Sequence, residues 1–263
     1  MRILALALCA AMVGCGGQYV LTAPDQVACA GGQTATVIRL QRHQFAGMLA
    51  SSSGAAMRFQ VEGCPLRGAF ADNLGYAGAA VPAPDKPGVY KMKISHLNRD
   101  GDEIESQVPL YVWQADWPVV AVDLEALDAA KKRDDSKAAL QKIAREANII
   151  YFTRRQVTEH ADIHRRLTAG GYPDGPVLLW QSQRWHIVQD KYPRLVIESK
   201  LISQLSHLRD VFGRLSVGIT DQDDGARALA AVHMKIVFLG DEKPHAANVT
   251  HRKDWADLAA NGL

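Results

Sequence analysis

The sequence predicts two domains, an all-β sandwich followed by an α/β domain built on a parallel sheet. Two patterns carry this expectation. From Tyr19 to Trp113, short runs alternate apolar and polar residues between turn signals; beyond Trp113, longer apolar runs alternate with stretches of helical spacing. Length agrees, because the chain has 263 residues and one domain usually takes about 150. The predicted division is a leader with its anchoring cysteine at residues 1–15, the sandwich at 16–114, the α/β domain at 115–242 and a tail or helix at 243–263.

The leader comes first. Arg2 precedes an apolar run over residues 3–13, and Met12-Val13-Gly14-Cys15 closes it. A short apolar core ending in small residues has the form of a secretory signal and is too short to span a bilayer permanently. A cysteine directly after the small residue is what lipoprotein processing and acylation require, so Cys15 is the expected lipidation site. Each buried methylene contributes roughly 0.8 kcal/mol, so several acyl chains hold firmly where one does not. The expected location is the cell envelope, extracytoplasmic and membrane-anchored by lipid, on the periplasmic or outer-membrane face. Gly16-Gly17-Gln18 then serves as a tether; an ordinary secretory signal with an incidental cysteine is the competing explanation.

Composition narrows the classes. With 48% hydrophobic and 22% charged residues the chain can bury a core, and a net charge of +2 makes no case for nucleic acid or for an acidic partner. Of the four cysteines, Cys9 leaves with the leader and Cys15 takes lipid. Cys29 and Cys64 remain, and in an oxidising compartment such a pair is expected as a disulfide. There is no C-x-x-C or clustered Cys/His arrangement to argue for zinc.

Within the sandwich, residues 34–40 and 56–61 alternate, and 89–94 most clearly: Val89, Lys91 and Lys93 share one face, Tyr90, Met92 and Ile94 the other. Period two places one face in a core and one in water. Turn signals at 51–54, 73–75, 84–88 and 98–101 separate these runs. Short strands without helical periodicity imply a sandwich. The run Ala71-Asp72-Asn73-Leu74-Gly75-Tyr76-Ala77, followed by Pro84-Asp85-Lys86-Pro87-Gly88-Val89-Tyr90, resembles the D-x-x-G-x-A … P-x-x-P-G-x-Y pattern of bacterial Ig-like domains. That resemblance implies an Ig-like sandwich serving as spacer or binding surface.

In the α/β part, apolar runs at 118–122, 149–152, 176–179, 215–219 and 235–239 are expected as buried parallel strands. Helical spacing covers 136–147, capped by Ser136 with Ala139, Leu140 and Ile143 on its apolar side. It recurs over 158–169, stopped by Gly170-Gly171, over 199–212, which aligns Leu201, Leu205, Leu208 and Phe212, and over 224–234. Strands alternating with helices imply right-handed βαβ units, and chemistry in such sheets collects beyond the carboxyl ends of the strands. Those ends read Asp123-Leu124-Glu125, Thr153-Arg154-Arg155, Thr220-Asp221-Gln222-Asp223-Asp224 and Gly240-Asp241-Glu242. Carboxylates bind Mg²⁺ through hard oxygens, and hydroxyl and cationic groups receive phosphate.

This order, from Asp116 to Gly240, resembles the haloacid-dehalogenase (HAD) superfamily, in particular its lipin-like and acid-phosphatase-like members, with their Rossmann-type sheet. The resemblance implies a Mg²⁺-dependent phosphatase. Asp123 would be the nucleophile and Glu125 the acid/base; Thr153, Lys200 and Arg154 would bind phosphate; Asp123, Asp221 and Asp224 would hold the metal. In-line attack by Asp123 would give an aspartyl-phosphate, which water activated by Glu125 would clear. Departures stand beside the match: Glu125 replaces the second aspartate, Leu127 a Thr or Ser, Thr220 a glycine, and Gly225 falls where one spacing wants another acid. The alternative function is a non-catalytic module that binds phosphate, a lipid headgroup or a protein.

Single residues carry plainer explanations too. Asp123 can cap a helix, and Asp223-Asp224 can complement the dipole of the next one. Arg154-Arg155 can be a solvated helix start. His160 and His164, spaced i and i+4, suit either two metal ligands or a surface helix face. Trp180, Trp185 and Tyr192 fit a small packed flap.

Overall fold

Period-two burial organises the N-terminal strands as the sequence pattern requires. In β3 (Gln33–His43) and β5 (Ala56–Val61) exposed and buried residues alternate. The computed structural model describes residues 19–43, 49–98, 101–127, 133–153, 160–179 and 193–263, without the side chains of 133, 160, 161, 179 and 193–200. The expectations for the leader, Cys15, Arg154 and the 180–192 segment lie outside the described residues.

Two sheets form this half. In one, β1 (Tyr19–Thr22), β4 (Leu49–Ser51) and β7 (Tyr76–Pro82) all pair antiparallel with β3. The other runs β2-β9-β8-β5-β6, with β2 at Gln26–Cys29, β6 at Arg67–Phe70, β8 at Gly88–Leu97 and β9 at Glu103–Trp113. Their inward faces meet in one core that includes Ile38, Leu40, Phe59, Met92, Ile94 and Leu110. Gly75 makes the turn before β7 at φ 81°, where a Cβ would lie 2.4 Å from the Leu40 carbonyl oxygen.

The third sheet is parallel throughout, in the order β12-β11-β10-β13-β14-β15. Its strands are β10 (Val119–Asp123), β11 (Asn148–Thr153), β12 (Val177–Leu179), β13 (Leu215–Thr220), β14 (Lys235–Leu239) and β15 (Val249–Arg252). Helices α1 (Arg133–Ile143), α2 (His160–Gly170), α3 (Pro193–Val211), α4 (Asp223–Ala231) and α5 (Trp255–Asn261) accompany it. Alternate residues of β10 serve two cores: Val119 and Ala121 pack with Leu201, Leu205 and Phe212, while Val120 and Val122 pack with Leu140 and Trp255. The segment after 242, expected as a tail or helix, supplies both an edge strand and a helix.

The expectation of an Ig-like sandwich followed by a HAD-like domain is corrected. Among the described residues fifteen strands in three sheets stand against five α-helices, so the chain is mostly β. The first half is also not closed on itself. Strand β2 pairs parallel with β9, and its Val27 and Cys29 pack, with Trp113, into the core around Phe212. Apolar alternation states which face of a strand is buried, but not which neighbour buries it.

The expected Cys29–Cys64 disulfide is corrected as well, since both thiols are free. Cys29 packs against the C-terminal core and its Sγ donates to the Val211 carbonyl at 3.4 Å, whereas Cys64 packs against the N-terminal one. Burial pushes both thiols above their usual range, with the charge of Asp85 adding to the effect at Cys64.

Candidate functional site

The carboxyl end of the parallel sheet brings three predicted residues together. Asp123 ends the central strand β10, Thr153 ends β11 on one side and Thr220 ends β13 on the other. Register sets them level, because Asp123 faces Phe152 and Val122 faces Ile219. A 3-10 turn over Leu124–Leu127 then folds Glu125 back over the strand ends. The buried Trp255 holds this turn, its indole N–H donating to the Ala126 carbonyl at 3.0 Å.

The polar atoms of the cluster are closely engaged. Thr220 Oγ1 donates to Asp123 Oδ2 at 2.6 Å, and the Glu125 backbone N–H donates to Asp123 Oδ1 at 3.1 Å. Thr153 Oγ1 donates to Glu125 Oε1 at 2.9 Å. Thr220 Oγ1 also accepts the Gln222 N–H at 3.0 Å, which fixes the chain entering α4. Gly225 of α4 closes the cluster from above, for a Cβ there would meet Thr220 Oγ1 at 2.5 Å and Asp123 Oδ2 at 2.8 Å.

Asp123 is 1% exposed, whereas Glu125 is partly exposed. Burial first, then the hydrogen bond and charge of Glu125, hold the Asp123 carboxyl well above the usual carboxylate range, against the opposing effect of Thr220. Adjacent carboxyls in a medium of low dielectric resist ionising together, so the pair gives up its second proton only above the usual carboxylate range. Of the two, Glu125 is the less enclosed, although its Oε2 is buried.

These contacts bear on the predicted roles. A nucleophilic Asp123 would have to be ionised and open to substrate, and here its carboxyl is enclosed and its pKa raised. Thr153, expected on phosphate, directs its hydroxyl proton to Glu125. The acids expected to share a metal with Asp123 turn elsewhere. Asp221 accepts from Gln222 Nε2 at 2.9 Å, and Asp224 pairs with Arg227. The adjacent Asp223 accepts the His245 backbone N–H at 2.6 Å, which holds its carboxyl below the usual range. Among the described residues no three His, Cys, Asp or Glu side chains gather to hold a metal ion. Among the described residues, Asp123, Asp221 and Asp224 are not gathered as Mg²⁺ ligands. Lys200 lies within α3, and its side chain is outside the described residues.

One polar cluster escaped sequence reasoning. Asp25, whose side chain is wholly buried, accepts from His164 Nε2 at 2.7 Å and from the Val177 N–H at 2.7 Å. Beside it, Tyr111 OH donates to Asp174 Oδ1 at 2.9 Å. His164 therefore joins the two halves of the chain, and the side chain of His160, its expected partner, lies outside the described residues. Residues 139 positions apart leave no spacing signal that could have predicted this.

No family model matches the chain, and no curated protein matches it. Among solved structures, the chain is similar to a carbohydrate acetylesterase from Xanthomonas citri, at 14% identity over 92% of this chain and 73% of that one, with a TM-score of 0.36. It is also similar to a family 5 xyloglucanase from Bacteroides ovatus, at 9% identity over 88% of this chain and 71% of that one, TM-score 0.26. A family 39 glycoside hydrolase from Bacteroides cellulosilyticus shows 8% identity over 83% of this chain and 50% of that one, TM-score 0.27. The resemblance to bacterial Ig-like domains and to the HAD superfamily is corrected by these findings. No family model reproduces it.

Proposed function

We propose that this chain is an ester hydrolase whose working group is the Asp123–Glu125 carboxyl pair, held at a membrane surface by lipid on Cys15. The observation that carries the proposal is the division of labour within the pair: Asp123 is enclosed with its pKa raised, while Glu125 is only half-buried at the end of the central parallel strand. Ligands of open parallel sheets bind at that edge. With the proton held by Asp123, the charge of the pair falls to Glu125. Glu125 then takes a proton from a water molecule as that water attacks the ester, and returns it to the departing oxygen. Thr153 orients the Glu125 carboxyl, and Thr220 with Gly225 keeps Asp123 enclosed. A positioned general base contributes about 10²–10⁴-fold.

The test uses the full chain in detergent with an aryl acetate and an aryl phosphate. Turnover of either, lowered at least about 10²-fold in Glu125→Gln with native melting retained, supports the proposal. Absence of turnover with both overturns it. The anchor has its own readout. Cys15→Ser should move the protein from the membrane to the soluble fraction, and unchanged membrane association would refute lipidation at this residue.

The enclosure of Asp123 favours a second reading, a non-catalytic binding module in which the pair is a rigid structural knot. Wild-type and Glu125→Gln proteins that are equally inert and equally folded would establish it.

A further inference from the structure

A cleft of about 450 Å³ opens where β2, β3 and the turn before β7 meet β12 and α3. We propose that it binds a neutral, polyhydroxylated small molecule of sugar-like chemistry, gripped by Ser203, Gln204 and His207 over an aliphatic floor. This site is separate from the carboxyl pair and does not depend on it.

Three features of the cleft select that chemistry. Its floor is apolar, formed by Val27, Val37, Leu178 and Leu208, with Val37 as much as 47% exposed. The C–H face of a sugar ring suits such a floor. One wall is polar, because Ser203, Gln204 and His207 all line the cleft from α3, with Ser203 and His207 exposed. Gln204 Oε1 is buried and has no hydrogen-bond partner among the described residues. A buried orphan acceptor is costly, and it calls for a donor from whatever fills the space. The ring hydroxyls of a polyol supply donors to Gln204 Oε1 and acceptors to its amide.

Charge removes the other small-molecule classes. Among the described residues the lining contains two acids, Asp25 and Asp72, and no lysine or arginine, so it disfavours phosphates and carboxylates. Neither acid is set up as the counter-ion of a ligand. Asp25 takes His164 and the Val177 N–H, and Asp72 Oδ1 takes the backbone N–H groups of Leu74 and Tyr76 at 2.8 and 2.9 Å. The opposite wall is pre-ordered: Thr34 Oγ1 donates to Gln26 Oε1 at 3.2 Å, and Gln26 Nε2 to the Pro24 carbonyl at 2.8 Å. A pocket of this size between two halves of a chain is where small ligands are commonly held. An occupant would touch both halves and so stabilise their docking by mass action.

The experiment is saturation-transfer NMR and calorimetry on the full chain in detergent, with glucose and cellobiose as neutral probes. Glucosamine and glucuronate serve as cationic and anionic controls. Saturable binding of a neutral probe is expected, weakened at least about tenfold by Gln204→Leu and accompanied by a rise in melting temperature that this variant lacks. Should Gln204→Leu melt early, His207→Ala, at an exposed position, must weaken binding instead. Failure of both neutral probes to bind, binding insensitive to these variants, or preference for glucosamine or glucuronate would each overturn the assignment.

Discussion

The carboxyl of Asp25 and the imidazole of His164 meet at 2.7 Å, with the Asp25 side chain wholly enclosed and 26% of the His164 side chain exposed. The pair joins the loop before β2 to α2, and the Val177 N–H ties β12 to the same carboxylate oxygen. The N- and C-terminal halves of the chain are thus pinned at a charged point.

That pin should make stability depend on pH. The hydrogen bond and charge of Asp25 raise the His164 pKa against partial burial, and Asp174 adds to the rise. A raised histidine stabilises fully below its unfolded value, about 6.5, and the contribution is lost as pH rises through the folded value. Melting temperature should therefore fall from pH 6 upward more steeply in wild type than in His164→Gln. At pH 6, His164→Ala should cost about 2 kcal/mol, since it strips a partner from a buried carboxyl beside a partly exposed ring. Parallel pH profiles for wild type and His164→Gln would show that the contact does not couple to protonation.

Asp123 predicts a pH dependence of another origin. Its folded pKa is raised, so the unfolded chain releases this proton first and stability declines as pH rises from about 4 toward the folded value. The decline is at most about 1.4 kcal/mol per pH unit. Asp123→Asn removes the titration, and its stability relative to wild type should improve steadily between pH 4 and 7 in urea melts. A constant difference across that range would mean that Asp123 is already ionised.

Gly225 inverts the usual helix rule. Replacing an interior helical glycine with alanine ordinarily stabilises by about 1 kcal/mol. Here the added methyl meets Thr220 Oγ1 at 2.5 Å and Asp123 Oδ2 at 2.8 Å, both on buried side chains with settled partners. Gly225→Ala should instead destabilise by about 1–3 kcal/mol, as overpacking does. A more stable variant in the same denaturant titration would show that the strand ends can part.

The thiols offer a direct check on pairing. Alkylation in denaturant without reductant should label both Cys29 and Cys64 in the peptide mass spectrum, because the two are free. In the native state at pH 7 labelling should be slow, since burial raises both thiols and leaves little thiolate. A linked Cys29–Cys64 peptide would contradict the separation of the two cores.

Much of the local structure was legible. The alternation of 89–94 and the apolar run ending at Asp123 appear as strands β8 and β10, and Leu201, Leu205 and Leu208 align on α3 as their spacing requires. Asp123, Thr153 and Thr220 were also recognisable as strand ends, because the carboxyl edge of a parallel sheet collects polar termini. Family resemblance was the weak step. Motifs matched residue by residue said nothing of whether Asp123 would be open or enclosed.

The sequence by itself determined which residues alternate, which runs are buried and where the strands stop, because these follow from side-chain chemistry at short range. Only the tertiary structure decided the partners. It turned Thr153 toward Glu125, enclosed Asp123 under Thr220 and Gly225, set Cys29 and Cys64 in different cores and brought His164 to Asp25. Each of these links residues far apart in the chain, or sets an orientation that depends on such a neighbour. Their energy depends on burial, and burial exists only once the sheets have packed.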